Sequence, residues 1–311
     1  MNKISIIGAG MTGSTAAHWL AERGVADIVL VDVVEGMPQG KGLDLLEALP
    51  IINSDVKVVG TNDYTMTKNS DIVIITAGLA RKPGMSRDDL LTVNAEIVGK
   101  AATETLKYSP DAIYIVLTNP LDTMAYLTMK VTKLPRERVI GQAGILDSTR
   151  MRAFVAMETG VSVENVHCYV LGGHGDEMVP LTRLSNIAGI SLKDYLSADK
   201  LEEIVNRTRK GGGEIVNLLK TGSAYYAPAA AIAHMAEAIL KDRHLIVPCA
   251  AYMNGEYGLK DMFFGVQVQL GRKGMEKVVE FKLDAEEQAL LEKSAASVKE
   301  THEALKKLVK I

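Results

Sequence analysis

The stretch "KISIIGAGMTGSTAAHWLAERG" (residues 3–24) decides how the chain begins to fold. It opens on isoleucines, the composition of a short buried strand. Six residues with three glycines follow. "STAAHWLAE" then has the apolar spacing of a helix and stops at Gly24, a residue suited to ending one. The motif Gly8-Ala9-Gly10-Met11-Thr12-Gly13 is a weak signal wherever it stands alone. Between a strand and a helix it has a mechanism. The first glycine permits the tight turn, the second lets the backbone approach a pyrophosphate, and the third lets helix and strand pack closely. The free N–H groups of the helix then face the phosphates. Gly8, Ala9, Gly10, Met11, Thr12 and Gly13 are therefore candidate cofactor-binding residues. Asp32 ends the next strand, "DIVLVD" (27–32). A carboxylate there accepts from both ribose hydroxyls and repels a 2′-phosphate, so the expected cofactor is NAD rather than NADP. An ordinary glycine turn followed by a strand-end aspartate is the alternative reading.

Outward from this unit the alternation continues. "VKVVGTND", "SDIVIITAG", "AIYIVLTNP" and "RVIGQAG" read as strands, separated by helical patterns such as "DDLLTVNAEIVGKAATETLKYS". Uninterrupted Val/Ile strands between helices imply a parallel sheet covered on both faces. The second half changes character. "LDSTRMRAFVAMETG" reads as a helix beginning near Leu146, "VHCYVLGGHGD" as a strand entering a loop, and "GRKG" as the turn of a hairpin between antiparallel strands. "KGGGEI" (210–215) reads as close helix packing. Asp284 and Glu287 have the spacing of a capping box before a closing amphipathic helix. The expected fold class is α/β: a doubly wound Rossmann sheet over 1–145, then an α+β catalytic domain over 146–311.

The totals narrow the classes of function. The chain has 311 residues, 47% hydrophobic, with a net charge of −3. No basic surplus exists to bind nucleic acid. No uncharged apolar run is long enough to span a membrane, and a cytoplasmic location is expected. Cys168 and Cys249 form no CxxC pair, so neither a disulfide scaffold nor a metal site is expected.

Chemistry collects in the loops that follow the strands. Arg81 and Arg87 lie in "ARKPGMSR" (80–87), and Asn119 in "TNPLD" (118–122). In an open parallel sheet, ligands bind at those strand ends. Pro83-Gly84 gives the first loop the makings of a lid. A solvated basic loop and an Asn-Pro turn are the plain alternatives. Asp147 and Arg150, three apart on a helix, project from one face: one can orient a base while the other forks onto a carboxylate. A common surface ion pair has the same spacing. His174, in "GGHGDEMVP" (172–180), is the candidate acid/base, because imidazole titrates near neutrality. Its glycine neighbours leave room for a substrate, and no second ligand at i+4 suggests a metal. His18 and His234 fall in helical stretches, His167 in a strand, and His244 and His302 read as surface or capping positions.

The set "GAGMTG", "VD", "ARKPGMSR", "TNPLD", "LDSTRMR" and "GGHGDEMVP" resembles the lactate/malate dehydrogenase family, in order and over essentially the whole chain. The resemblance implies a role for each residue. His174 is the proton donor/acceptor and Asp147 its partner. Arg150 clamps the substrate's C1 carboxylate, Arg87 polarises the reacting carbonyl, and Asn119 touches substrate and nicotinamide ribose. Asn94 and the backbone of Leu117, Thr118 and Asn119 match cofactor contacts. Within the family a neutral glutamine at the position of Arg81 accompanies lactate, and arginine accompanies malate. A buried second carboxylate needs a cation, so oxaloacetate and malate are the expected substrate pair. "GSAYYAP" (222–228) resembles the lactate-dehydrogenase-like branch of the malate-specific members. Those are cytoplasmic enzymes of the tricarboxylic acid cycle, tetrameric or sometimes dimeric. The rival from another class is an NAD-sensing module, which has no use for a proton donor beside a carboxylate clamp.

Overall fold

The computed structural model describes residues 2–79 and 87–309, and Arg87 by its main chain only. The first half lays down β1 (Lys3–Ile7), α1 (Met11–Glu22), β2 (Asp27–Val31), α2 (Met37–Ala48), β3 (Val58–Thr61), β4 (Ile72–Ile75), α3 (Arg87–Tyr108), β5 (Ile113–Val116), α4 (Leu121–Thr132) and β6 (Val139–Gly141). The strands pair in parallel in the order β6-β5-β4-β1-β2-β3. Alternate residues of each strand feed opposite faces. Ile4, Ile6, Ile28, Leu30, Ile72 and Ile74 join one core, and Ile7, Val29, Val31, Val73 and Ile75 the other. Strands buried on both sides cannot afford polar alternation, which is why they read as continuous Val/Ile runs. The chain direction across the sheet reverses between β1 and β4, the place where such sheets bind ligands.

The second half contains α5 (Ala143–Thr159), the short strands β7 (Val166–His167), β8 (Val170–Leu171), β9 (Val179–Pro180), β10 (Asn186–Ile187) and β11 (Ile190–Ser191), then α6 (Leu192–Tyr195), α7 (Ala198–Leu219), α8 (Tyr226–Leu240), β12 (Leu245–Asn254), β13 (Lys260–Gly271), β14 (Gly274–Val278) and α9 (Ala285–Leu308). β12, β13 and β14 are antiparallel, and β13 and β14 form the expected hairpin. They do not make a separate sheet. β12 joins the edge of β6 through Ala250 and Gly141, giving one nine-stranded sheet. The capping box of α9 is present: Asp284 accepts from the Glu287 N–H, and the Glu287 side chain from the Asp284 N–H.

Three expectations change. The helix carrying Asp147 starts at Ala143, one residue past Gln142, so Asp147 sits a turn inside it and is buried rather than at an exposed helix start. "VHCYVLGG" breaks into β7 and β8, which pair with different partners. His302 is not a surface residue. It lies on the buried stripe of α9 with Leu291, Ala295, Val298 and Leu305, and its Nδ1 is 2.8 Å from the Val298 carbonyl. Burial lowers its pKa to about 4, so it is a neutral core group.

Candidate active site

The glycine loop follows β1 at the switch point. Gly8 has φ +106°, a conformation that disfavours any side chain. A Cβ on Gly13 would lie 1.8 Å from the Gly8 carbonyl oxygen, so α1 can rest on the loop only because that atom is absent. A Cβ on Gly10 would meet nothing within 4 Å. That open space lies at the N-terminus of α1. No side chain caps this terminus and no acidic residue occupies its first turn, which here holds Met11, Thr12 and Gly13. An uncapped helix N-terminus beside an open glycine suits a diphosphate. The dinucleotide therefore fits these residues.

Asp32 is tied into the same loop. One carboxylate oxygen accepts from the Ala9 N–H at 2.7 Å and the other from the Val34 N–H at 3.0 Å. Each oxygen keeps a lone pair for a ribose hydroxyl. Lys41, which sequence reading passed over, donates from Nζ to the Ala9 carbonyl at 2.7 Å. The peptide units around Ala9 are thus held on both sides, by a carboxylate and an ammonium. The glycines flanking Lys41 in "QGKG" were the available signal, but its target lies 32 residues away.

Where β5 ends, the Thr118 hydroxyl donates to the Ala77 carbonyl at 2.7 Å, while Leu117 continues the ladder with β4. Asn94, fully buried on α3, donates to the carbonyls of Leu79 and Asn119 and accepts from the Leu79 N–H. Both N–H groups of its amide are spent on main chain, so it acts by bracing the loops at the ends of β4 and β5. The Asn119 side chain is exposed at that edge. Arg81 lies outside the described residues. Arg87 opens α3.

His174 enters from the β8–β9 hairpin. Its Nδ1 is 2.9 Å from Asp147 Oδ2, and Arg150 Nη1 is 3.4 Å from the other oxygen, Oδ1. Asp147 is 2% exposed. Donation from Nδ1–H fixes the tautomer and leaves Nε2 as the nitrogen that can exchange a proton. Burial disfavours the imidazolium, but the charge and hydrogen bond of Asp147, with help from Asp122 and against Arg150, raise the pKa above the ordinary imidazole value. Arg150 lies against Gly211 of α7, where a Cβ would come within 2.3 Å of its Cδ; this is the close packing expected of "KGGGEI".

The loop is anchored one N–H at a time. Gly172 donates to the Gly265 carbonyl on β13 at 2.9 Å, Gly173 to Ser294 Oγ on α9 at 2.9 Å, and His174 to Asp122 Oδ2 on α4 at 3.0 Å. The glycines therefore do not all make room for substrate. A Cβ on Gly173 would strike Val298 Cγ2 at 2.3 Å, so that space belongs to α9; only Gly175 borders open space. Asp122, two residues past the Asn-Pro signal, was not singled out in the sequence because its target lies 52 positions away.

The fold and site define a class, a two-part enzyme with a dinucleotide crevice and a carboxylate–imidazole pair. Residues 2–141 match the lactate/malate dehydrogenase NAD binding domain, and residues 145–309 match the alpha/beta C-terminal domain of the same family. The chain belongs to the lactate/malate dehydrogenase family and is an NAD-dependent oxidoreductase. It is 57% identical over 306 residues to a malate dehydrogenase of Roseiflexus castenholzii, covering 98% of this chain and 99% of that one. Among solved structures, malate dehydrogenase from Picrophilus torridus in its apo form superposes with TM-score 0.96 at 46% identity, over 99% of this chain and 98% of that one. The lactate dehydrogenase of Cryptosporidium parvum with lactic acid and its dinucleotide superposes nearly as well, TM-score 0.95 at 42% identity, over 98% of each chain. Backbone shape alone does not separate the two substrates.

Proposed function

We propose that the chain interconverts (S)-malate and oxaloacetate with NAD. The bound dinucleotide supplies or takes up the hydride. His174 gives its proton to the forming alkoxide during reduction, and in the neutral form accepts it during oxidation. Asp147 keeps Nδ1 protonated and favours the imidazolium. Arg150, one-tenth exposed at its side chain, clamps the C1 carboxylate, and fixing it orients C2 for transfer. Arg87 stabilises the charge that develops on the carbonyl oxygen, and Asn119 contacts substrate and nicotinamide ribose. Arg81 answers the second carboxylate, which pyruvate lacks. The observation that carries the reading is the buried Asp147 carboxylate, with one oxygen on His174 and the other on Arg150. A sensor of NAD gains nothing from such a pair.

The test follows NADH oxidation at 340 nm with oxaloacetate, pyruvate and longer 2-keto acids. Oxaloacetate should give the highest kcat/KM; preference for pyruvate would overturn the substrate assignment. Among the described residues no helix is long and apolar enough to cross a membrane, and we place the protein in the cytoplasm. We also infer a homotetramer, with a dimer as the alternative. Leu43 and Leu46 on α2, and Ile51 and Ile52 just beyond it, are exposed apolar side chains on one segment and suit a subunit contact. Light scattering tests this, and a monomer at micromolar concentration would refute it.

A further inference from the structure

Asp122 is a carboxylate that the reaction set out above does not use. It stands in the first turn of α4 and is 6% exposed. Oδ2 accepts from the His174 main-chain N–H at 3.0 Å, while Oδ1 is buried with no hydrogen-bond partner among the described residues. Burying a charge with an oxygen left empty is unfavourable. If the only task were to hold one N–H, a neutral acceptor would do it better. The neighbouring anchor is such an acceptor: the Ser294 hydroxyl holds the Gly173 N–H at 2.9 Å. The charge on Asp122 therefore calls for its own account.

Among the described residues the charged groups bearing on this pair are few. His174 and Asp122 act on each other, and Asp147 and Arg150 act from α5. On the same loop, Glu177 turns outward to Lys293 of α9 at 3.0 Å. β13 contributes the main-chain carbonyl of Gly265 to the loop. Asp147 is shared between the imidazole and Arg150, and the Arg150 guanidinium opposes a second positive charge beside it. Asp122 pairs with no guanidinium or ammonium among the described residues; the one positive group it acts on is the imidazole, and Asp147 opposes its charge. We propose that Asp122 is a positioning residue for proton transfer, fixing the His174 main chain on α4 and supplying the second negative charge that favours the imidazolium against Arg150. Burial raises the Asp122 carboxyl and its contacts with His174 lower it, which together leave it at about 6, so it is mostly ionised at neutral pH and above.

The inference rests on the dehydrogenase reading, so the experiment separates the two. The pH profile of kcat/KM for oxaloacetate reduction is measured for the parent and for Asp122→Asn, Asp122→Glu, Ser294→Ala and His174→Asn. Reduction needs the imidazolium, so the parent loses rate as pH rises through the His174 inflection. D122N keeps an acceptor for the N–H and removes the charge. Its inflection should fall by about one unit, lowering the rate about tenfold above both inflections. NADH affinity should be unchanged. D122E, with the charge kept, should retain the parental inflection. S294A should slow the reaction at every pH without moving the inflection. A D122N profile merely scaled down, as for S294A, overturns the proposal. If D122N does not fold, Asp122→Ser, smaller and also neutral, carries the same expectation; if neither folds, Asp122 is structural and the proposal fails. Retained turnover in H174N would instead mean that another residue is the acid, and a parent that does not oxidise NADH with oxaloacetate would overturn the substrate reading itself.

Discussion

Two glycines of the first loop separate what the protein needs in order to pack from what it needs in order to bind. Consider Gly13→Ala beside Gly10→Ala. The added methyl carbon at residue 13 would stand 1.8 Å from the Gly8 carbonyl oxygen, 3.0 Å from the Gly8 carbonyl carbon and 2.9 Å from Thr76 Oγ1. The nearest obstacle is backbone, so no rotamer relieves it, and α1 must lift from the sheet. Overpacking of this kind costs about 1–3 kcal/mol. At residue 10 the methyl meets nothing within 4 Å, and the backbone has φ −64°, open to any residue. Two small terms compete there. Alanine is a poorer N-cap than glycine, by up to about 1 kcal/mol. It also restricts the unfolded chain, which returns about 0.4–1 kcal/mol. The net change in the free protein is close to zero. The same methyl occupies the space through which the loop approaches a diphosphate, so a binding loss of about 1.4 kcal/mol, tenfold in Kd, is the least expected. Thermal unfolding without ligand and NADH titration by fluorescence read the two effects apart. G13A should melt early; G10A should melt like the parent and bind NADH at least tenfold more weakly. Parental NADH affinity in G10A would refute the assignment of this loop to the cofactor, and parental melting in G13A would refute the packing argument.

His174→Asn should bind NADH as the parent does and lose on the order of 10²–10⁴-fold in turnover, measured at 340 nm. In the parent, reduction should decline and malate oxidation rise as pH passes through the raised His174 pKa, and Asp147→Ala should move both inflections down because it removes the main upward influence on the imidazole. Arg81→Gln should lower kcat/KM for oxaloacetate by on the order of 10²–10³-fold, the worth of an unpaired buried charge, with little loss on pyruvate; unchanged discrimination would remove Arg81 from the specificity argument. Asp32→Ser should lower the ratio of NADH to NADPH efficiency, since the carboxylate that repels a 2′-phosphate is gone.

How much of this was legible in the chain itself depends on the range over which each determinant acts. A strand that buries both faces, a helix that buries one and a turn that needs glycine are set by neighbours a few residues apart. "KISIIGAGMTG", Asp32 at the end of β2 and the capping box of Asp284 and Glu287 could therefore be read directly, as could the pairing of Asp147 with Arg150 on one helix face. The stripe that buries His302 was also present in the spacing of Leu291, Ala295, Val298 and Leu305, and it was missed because a histidine near a chain end reads as polar.

The tertiary structure alone decided which distant groups meet. His174 finds Asp147 across 27 positions, Asp122 across 52, and its neighbour Gly173 finds Ser294 across 121. It also decided that β12 would extend the parallel sheet from β6 rather than begin a second one. No local period encodes such meetings. They follow from how the two cores close around the sheet, and a buried N–H or carboxylate oxygen must then take whichever partner that closure brings within reach.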